Sequence, residues 1–359
     1  MQQAAAPLPF NVITGFLGAG KTTLLNRLLK HPGMDGVLVI INEFGEVGID
    51  HALVEASTDE VIELASGCLC CALRGDLVET LVRLLQEHEG GGAERFSRIV
   101  VETSGLADPA PVLHSVMAHE WLARRLRIDG VIAVADAMCG KRTLDEHPEA
   151  VKQVAVAERI VITKADMEGG GRKAVELAAV LRAINPTAAI LSANDEDMTP
   201  ETLFDAGPEG AGARRWLGDA AGQIHHHGHE HAHGHEHGHG IESLVLTSKS
   251  PISPRGVDIF IDLLRANFGA SLLRVKGLVM TSGDVDRPLV IHGVQHVFHP
   301  PERLPEWPGG LPETTIVVIA REGVGRQVEE LFAAIADPLS GSGAAAGDDT
   351  LSLLPDGDA

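Results

Sequence analysis

The sequence predicts an α/β fold, a doubly wound and mostly parallel sheet over residues 1–205, followed by a smaller α+β domain over 241–337. Three observations carry this reading. Short Val- and Ile-rich runs recur through the first two hundred residues, helical patterns alternate with them, and a polar stretch at 206–240 precedes a block in which strands outnumber helices.

In chain order, the runs at 9–16 (PFNVITGF), 37–43, 98–103, 130–137, 159–165 and 188–193 read as buried strands. A strand covered on both faces is continuously apolar rather than alternating. Helical patterns over Thr22 to Lys30, Leu73 to His88 and Arg172 to Ile184 supply crossovers, so βαβ units around a parallel sheet are expected. Residues 206–240 lose hydrophobic periodicity after Trp216 and Leu217 and read as a flexible linker. From Ile241 the order is strand (ESLVLTS), helix (Pro254 to Phe268), strands LLRVKGLVMT, PLVIHGVQHVF and TTIVVIA, then a helix from Arg326 to Ala336. This is a sheet with its helices on one face. The tail, 338–359, has four Asp and no Lys or Arg, and reads as disordered.

Composition narrows the function. With 29 Lys and Arg against 50 Asp and Glu, the chain of 359 residues carries a formal charge of −21, which repels nucleic acid. No stretch approaches the roughly 18 uncharged apolar residues of a membrane span, and the start, MQQAAAPLPF, has no basic leader pattern. A cytoplasmic protein is expected, with neither nucleic acid nor membrane as partner. There are 18 His and no Tyr, and three of the four Cys lie within four residues, which points to metal chemistry in a reducing compartment.

Gly15 to Thr22, GFLGAGKT, satisfies G-x-x-x-x-G-K-S/T between a predicted strand and a predicted helix. This is the phosphate loop of a P-loop NTPase. The main chain of Gly15, Gly18, Ala19 and Gly20 wraps phosphates, Lys21 reaches the β/γ oxygens, Thr22 offers its hydroxyl to Mg²⁺, and Thr23 shares the positive helix N-terminus. In RIVVETSG, Glu102 ends an apolar strand and is the residue to hold the Mg²⁺ water shell, and the Gly105 N–H is placed to contact the γ-phosphate. Lys21 and Glu102 are thus the candidate catalytic residues. In Thr163-Lys164-Ala165-Asp166, the Asp166 carboxylate can accept from guanine N1–H and N2–H₂, a donor pair adenine lacks, while the Lys164 stem lies along the base. The expected ligands are GTP and GDP.

Cys68, Cys70 and Cys71 form an incomplete soft-metal site between the phosphate loop and Glu102, suited to Zn²⁺, Co²⁺ or Cu⁺. A fourth ligand would come from Glu43, Glu46 or His119. The competing readings are a C-x-x-C redox pair and plain buried cysteines. Cys139, alone after a strand, reads as a core residue. Nine histidines, His225, His226, His227, His229, His231, His233, His235, His237 and His239, fall within 16 residues and can gather divalent ions without fixed geometry. His292, His296 and His299 read as one half-solvated sheet face.

GFLGAGKTTLL, INEFGEVGID, GCLCCALRGDL, VVETSGLADPAPV and TKAD, in this order, resemble the CobW family of metal-handling P-loop GTPases, as do RVKGLVM and the later EWPGG. The resemblance covers residues 10–335. It implies a GTP-hydrolysing metallochaperone or metal insertase, with phosphate and Mg²⁺ roles for Gly20, Lys21, Thr22 and Glu102, guanine recognition by Lys164 and Asp166, and metal on Cys68, Cys70 and Cys71. Thr163 stands where the commoner motif has Asn, a replacement familiar in the family. Ile41 stands where many members have a Glu proposed as metal ligand, so Glu43 or Glu46 is the expected substitute. Zn²⁺ is the expected cargo, to be passed to a client metalloprotein docked on the second domain, and a dimer is a possible assembly. A cobalt chaperone for cobalamin synthesis and a non-enzymatic metal store are the alternatives.

Overall fold

A computed structural model describes residues 7–42, 61–63, 72–90, 96–195, 198–204, 240–308 and 312–336. Strands β1 (Leu8–Gly15), β2 (Val37–Asn42), β3 (Val61–Glu63), β4 (Arg98–Thr103), β5 (Leu126–Asp136), β6 (Arg159–Thr163) and β7 (Ala189–Ser192) form one sheet in the order β3-β2-β4-β1-β5-β6-β7. Every pairing is parallel among the described residues. The helices are α1 (Lys21–Leu28), α2 (Ala72–Glu89), α3 (Ala110–Ala118), α4 (Glu120–Ala123), α5 (Gly140–Glu146), α6 (Pro148–Val156), α7 (Gly170–Ile184) and α8 (Pro200–Leu203). Phe10 and Val12 join a core with Leu81 and Val154 on one face, and Ile13 joins Leu25 and Val161 on the other, so the sheet is covered on both sides.

β5 begins four residues before the expected 130, because Arg127 and Asp129 interrupt its apolar run. Asp129 is buried at a register shift between β1 and β5. It accepts from Asn11 Nδ2 at 3.2 Å, Arg98 Nη1 at 2.6 Å and Arg127 Nη1 at 3.3 Å. A charge satisfied in this way is compatible with a strand interior.

The second domain contains β8 (Ile241–Ser248), α9 (Pro254–Phe268), β9 (Leu272–Thr281), β10 (Asp284–Val294), β11 (Val297–Phe298), β12 (Glu302–Arg303), β13 (Thr314–Arg321) and α10 (Gly325–Ala336). Its sheet has the order β11-β10-β9-β13-β8, with β12 on β10, and these pairings are antiparallel. As expected, α9 and α10 cover one face, through Phe260, Leu264, Val328 and Phe332. The run PLVIHGVQHVF is not a single strand: Gln295 adopts φ 53 and turns the chain from β10 into β11. No helix among the described residues is long and apolar enough to cross a membrane.

The other face rests on the first domain, where Ile241, Leu273, Val294 and Ile319 join the first core. A buried polar group sits within this contact. Glu158, just after α6, accepts from Val131 N at 2.5 Å and pairs with Arg274 of β9, which also donates to Val156 O at 3.1 Å. His292 Nε2 lies 3.3 Å from Glu158 Oε1, and His299 stacks on His292 with ring centroids 4.2 Å apart. Of the three histidines expected on one half-solvated face, His292 and His299 are half-buried against the Glu158–Arg274 pair and His296 is exposed. The alternation marks a face whose polar partners include protein as well as water.

Burial pushes the Glu158 carboxyl up, but Arg274, the His292 hydrogen bond and Lys276 outweigh it and hold it well below the usual range. Burial, then Arg274, pushes His299 down to about 4, with Glu158 opposing and Arg127 adding to the shift. Burial, His299 and Arg274 hold His292 well below its ordinary value. Lys276 is lowered to about 7, chiefly by burial and then Arg274. Between pH ~6.5 and ~4 the unfolded chain thus binds a proton at His299 that the folded chain does not, and His292 is shifted in the same direction, so stability rises with pH across this window. Denaturant titrations should lose about 1.4 kcal/mol per pH unit per histidine as pH falls through it. His299→Gln should flatten the slope; an unchanged slope would contradict the assignment.

Candidate nucleotide and metal site

The parallel register determines where the site is. Ile13 pairs with Glu102, Gly15 with Val134, and Asp136 with Thr163, so the carboxyl ends of β1, β4, β5 and β6 open on one edge. At Gly15 (φ 143) a Cβ would lie 2.4 Å from Val134 O, so the strand can enter the phosphate loop only through glycine. Lys21, 6% exposed at the start of α1, donates through Nζ to Gly15 O at 3.0 Å. Gly18 is exposed, Ala19 is buried, Gly20 caps α1 with φ 95, and Thr23 is exposed on the first turn.

Thr22 Oγ1 donates to Glu102 Oε1 at 2.9 Å. The two residues expected around Mg²⁺ are therefore in contact. Two hard oxygen donors fit an ion that takes few protein ligands and keeps most of its water. Beyond Glu102, a Cβ on Gly105 would lie 2.7 Å from Leu17 N, so this loop lies directly on the phosphate loop.

At the other end of the edge, Thr163 Oγ1 donates to Ala19 O at 2.6 Å, tying β6 to the phosphate loop. Lys164, with φ 58, donates through Nζ to Gly18 O at 2.8 Å and to Asp136 Oδ2 at 2.6 Å. Asp166 is exposed, and its Oδ1 accepts from Asn194 Nδ2 at 3.1 Å. Asp136 and Asn194 were not singled out from sequence. Asp136 ends β5 and Asn194 lies just beyond β7, at the carboxyl edge where ligands bind in such sheets, and that rule is the signal that finds them.

Cys68, Cys70, Cys71, Glu43, Glu46 and the histidines from His225 to His239 lie outside the described residues. The ends flanking the cysteine segment are described: β3 stops at Glu63, paired with β2 at Ile41, and α2 begins at Ala72. Ile41 is 6% exposed and packs in the core beside Glu102, so it is a hydrophobic support. His119 caps α4, accepting from Leu122 N at 3.4 Å through Nδ1. It lies seven residues before Leu126, which pairs with Leu8 at the edge opposite Gly15. Cys139 is exposed rather than core, because it stands past the end of β5 as the N-cap of α5. No group of three or more metal-ligating side chains occurs among the described residues.

Thr163 supplies a test of this architecture. Thr163→Val keeps the shape but leaves Ala19 O without its donor, and should cost about 1–2 kcal/mol in denaturant titrations. Thr163→Ser, which keeps the hydroxyl, should recover most of that.

Two family models match. The CobW/HypB/UreG nucleotide-binding domain matches residues 9–192, and the cobalamin synthesis protein cobW C-terminal domain matches residues 241–336. The chain is 32% identical over 330 residues to the zinc chaperone YjiA of Escherichia coli, covering 92% of this chain and 98% of the relative. It is 32% identical over 316 residues to the zinc chaperone CobW of a Sinorhizobium species, covering 79% and 84%. The zinc-bound YjiA GTPase structure from E. coli superposes with a TM-score of 0.69 at 25% identity, over 92% of this chain and 99% of that one. The matched domains, in the same order as the two sheets, make this chain a member of the CobW family.

Proposed function

We propose that the chain is a GTP-hydrolysing metallochaperone that holds Zn²⁺ on the thiolates of Cys68, Cys70 and Cys71 and passes it to a client metalloprotein under nucleotide control. One observation carries the link between nucleotide and metal. Glu63, Ile41 and Glu102 form a single row across β3, β2 and β4, so the strand end that leads to the cysteines stands two strand spacings, about 10 Å, from the carboxylate that contacts Thr22. A change at Glu102 on loss of the γ-phosphate therefore acts near the strand end from which the cysteine segment leaves.

Lys21 stabilises the charge that develops on the β- and γ-phosphate oxygens as water attacks the γ-phosphorus and the bond to the bridging oxygen breaks, releasing GDP and phosphate. Thr22 and Glu102 would hold Mg²⁺, which when bound adds to that charge stabilisation. The Gly105 N–H meets the γ-phosphate, and Asp166, held by Asn194, accepts from the guanine edge. Three thiolates with Glu43 or Glu46 suit zinc, and the names of the two curated relatives support that metal over cobalt. The histidine tract gathers ions for this site.

Calorimetric Zn²⁺ titrations with GDP and with a non-hydrolysable GTP analogue test the coupling. Affinities should differ between the two states by roughly 5–150-fold, and by linkage Zn²⁺ should alter analogue affinity by the same factor. Identical affinities would sink it. Cys70→Ser and Cys71→Ser should abolish tight Zn²⁺ binding and leave GTP binding in place, whereas Lys21→Ala should do the reverse.

A further inference from the structure

The loop that follows Glu102 is held from three sides, one of which belongs to the second domain. Gly105 lies against Leu17 of the phosphate loop. Gln153 of α6, 1% exposed, donates through Nε2 to Gly105 O at 3.1 Å and Ala107 O at 2.9 Å. From the turn between β10 and β11, Gln295 donates through Nε2 to Asp108 Oδ2 at 3.3 Å, while Asp108 Oδ1 accepts from Ala110 N at 3.0 Å. His296, next in the turn, meets His114 of α3 edge-on with ring centroids 4.6 Å apart.

Two features set these contacts apart from ordinary interface packing. Gln295 holds φ 53, a left-handed conformation that is unfavourable for a non-glycine residue and that recurs where function constrains the chain. Gln153 Oε1 is buried with no hydrogen-bond partner among the described residues, and the side chain borders a cavity of about 50 Å³ that Phe16 and Leu17 also line. The amide has space to follow the loop if it moves. α6 extends the connection, since Val156 O accepts from Arg274.

We propose that Gln153 and Gln295 are positioning residues of the nucleotide site, so that the second domain helps set the loop that distinguishes GTP from GDP. This rests on the reading of Gly105 as the γ-phosphate contact. Gln295 touches no nucleotide in this scheme; it acts through Asp108, and Gln153 acts through the main chain of Gly105. Any partner that displaces the β10–β11 turn would then alter the nucleotide preference.

The test uses the full chain and reads the ratio of GDP to GTP-analogue affinity, which cancels any general loss of folded protein. Gln295→Glu sets a carboxylate against Asp108 and should shift the ratio toward GDP by about fivefold or more. Gln295→Gly, which keeps the turn and removes the amide, should shift it by roughly threefold. In the double variant Gln295→Glu with Asp108→Asn, donor and acceptor exchange places, and the ratio should return to within about twofold of wild type. Gln153→Met should shift it in the same direction as Gln295→Gly. A wild-type chain that binds neither nucleotide overturns the underlying reading of the site. A wild-type chain that binds both, with the same ratio in every variant, overturns the positioning role alone.

Discussion

Everything at the site depends on one constraint, that the seven strands of the first sheet run the same way. Parallel pairing brings every carboxyl end to one edge, and the chain must leave that edge by loops and re-enter through helix N-termini. Main-chain N–H groups and the positive end of α1 therefore collect where Lys21 and Lys164 also lie. A chain of formal charge −21 thereby builds a local site for anions. Shifting one strand by a residue would separate Glu102 from Thr22 and Thr163 from Ala19, the bonds that join the loop to the strands behind it.

The second domain is attached by a different kind of contact. Ile241, Leu273, Val294 and Ile319 supply apolar burial, and the Glu158–Arg274 pair with His292 and His299 lies within it. A buried ion pair contributes little net stability once desolvation is counted, yet losing one partner leaves an uncompensated charge that costs several kcal/mol. Such a pair therefore penalises any other placement of the sheet on α6. That fixed placement lets Gln295 reach Asp108.

Local motifs were legible and tertiary contacts were not. GFLGAGKT, RIVVETSG and TKAD each state their geometry within eight residues, because a glycine loop, a strand-end carboxylate and a strand-to-helix turn are determined nearly in place. In the first domain most strands and the helices α1, α2 and α7 followed from apolar runs and periodicity; the shorter helices α3 to α6 and α8 did not, nor did β3, which is too short to stand out, nor the start of β5, where Asp129 finds its partners on β1 and β4. Gln153 and Gln295 left no trace, since a glutamine on a helix or in a turn gains meaning only from the distant carbonyl or carboxylate it meets. The histidines on and after β10 show the same limit: alternation reports that one face is polar, and cannot say that Glu158 lies beside His292. Cys139 follows a buried strand in sequence but stands past its end, so proximity to the strand does not bury it.

The central claim is that this edge selects guanine through Asp166, with Asn194 and the Lys164–Asp136 pair holding the recognition loop in place. The most direct measurement is displacement of a bound fluorescent GDP from the full chain by GTP and by ATP. The account predicts that GTP displaces it at concentrations at least about a hundredfold below those of ATP, because adenine would leave the carboxylate without its two donors. Equal displacement by the two, or a preference for ATP, would contradict it.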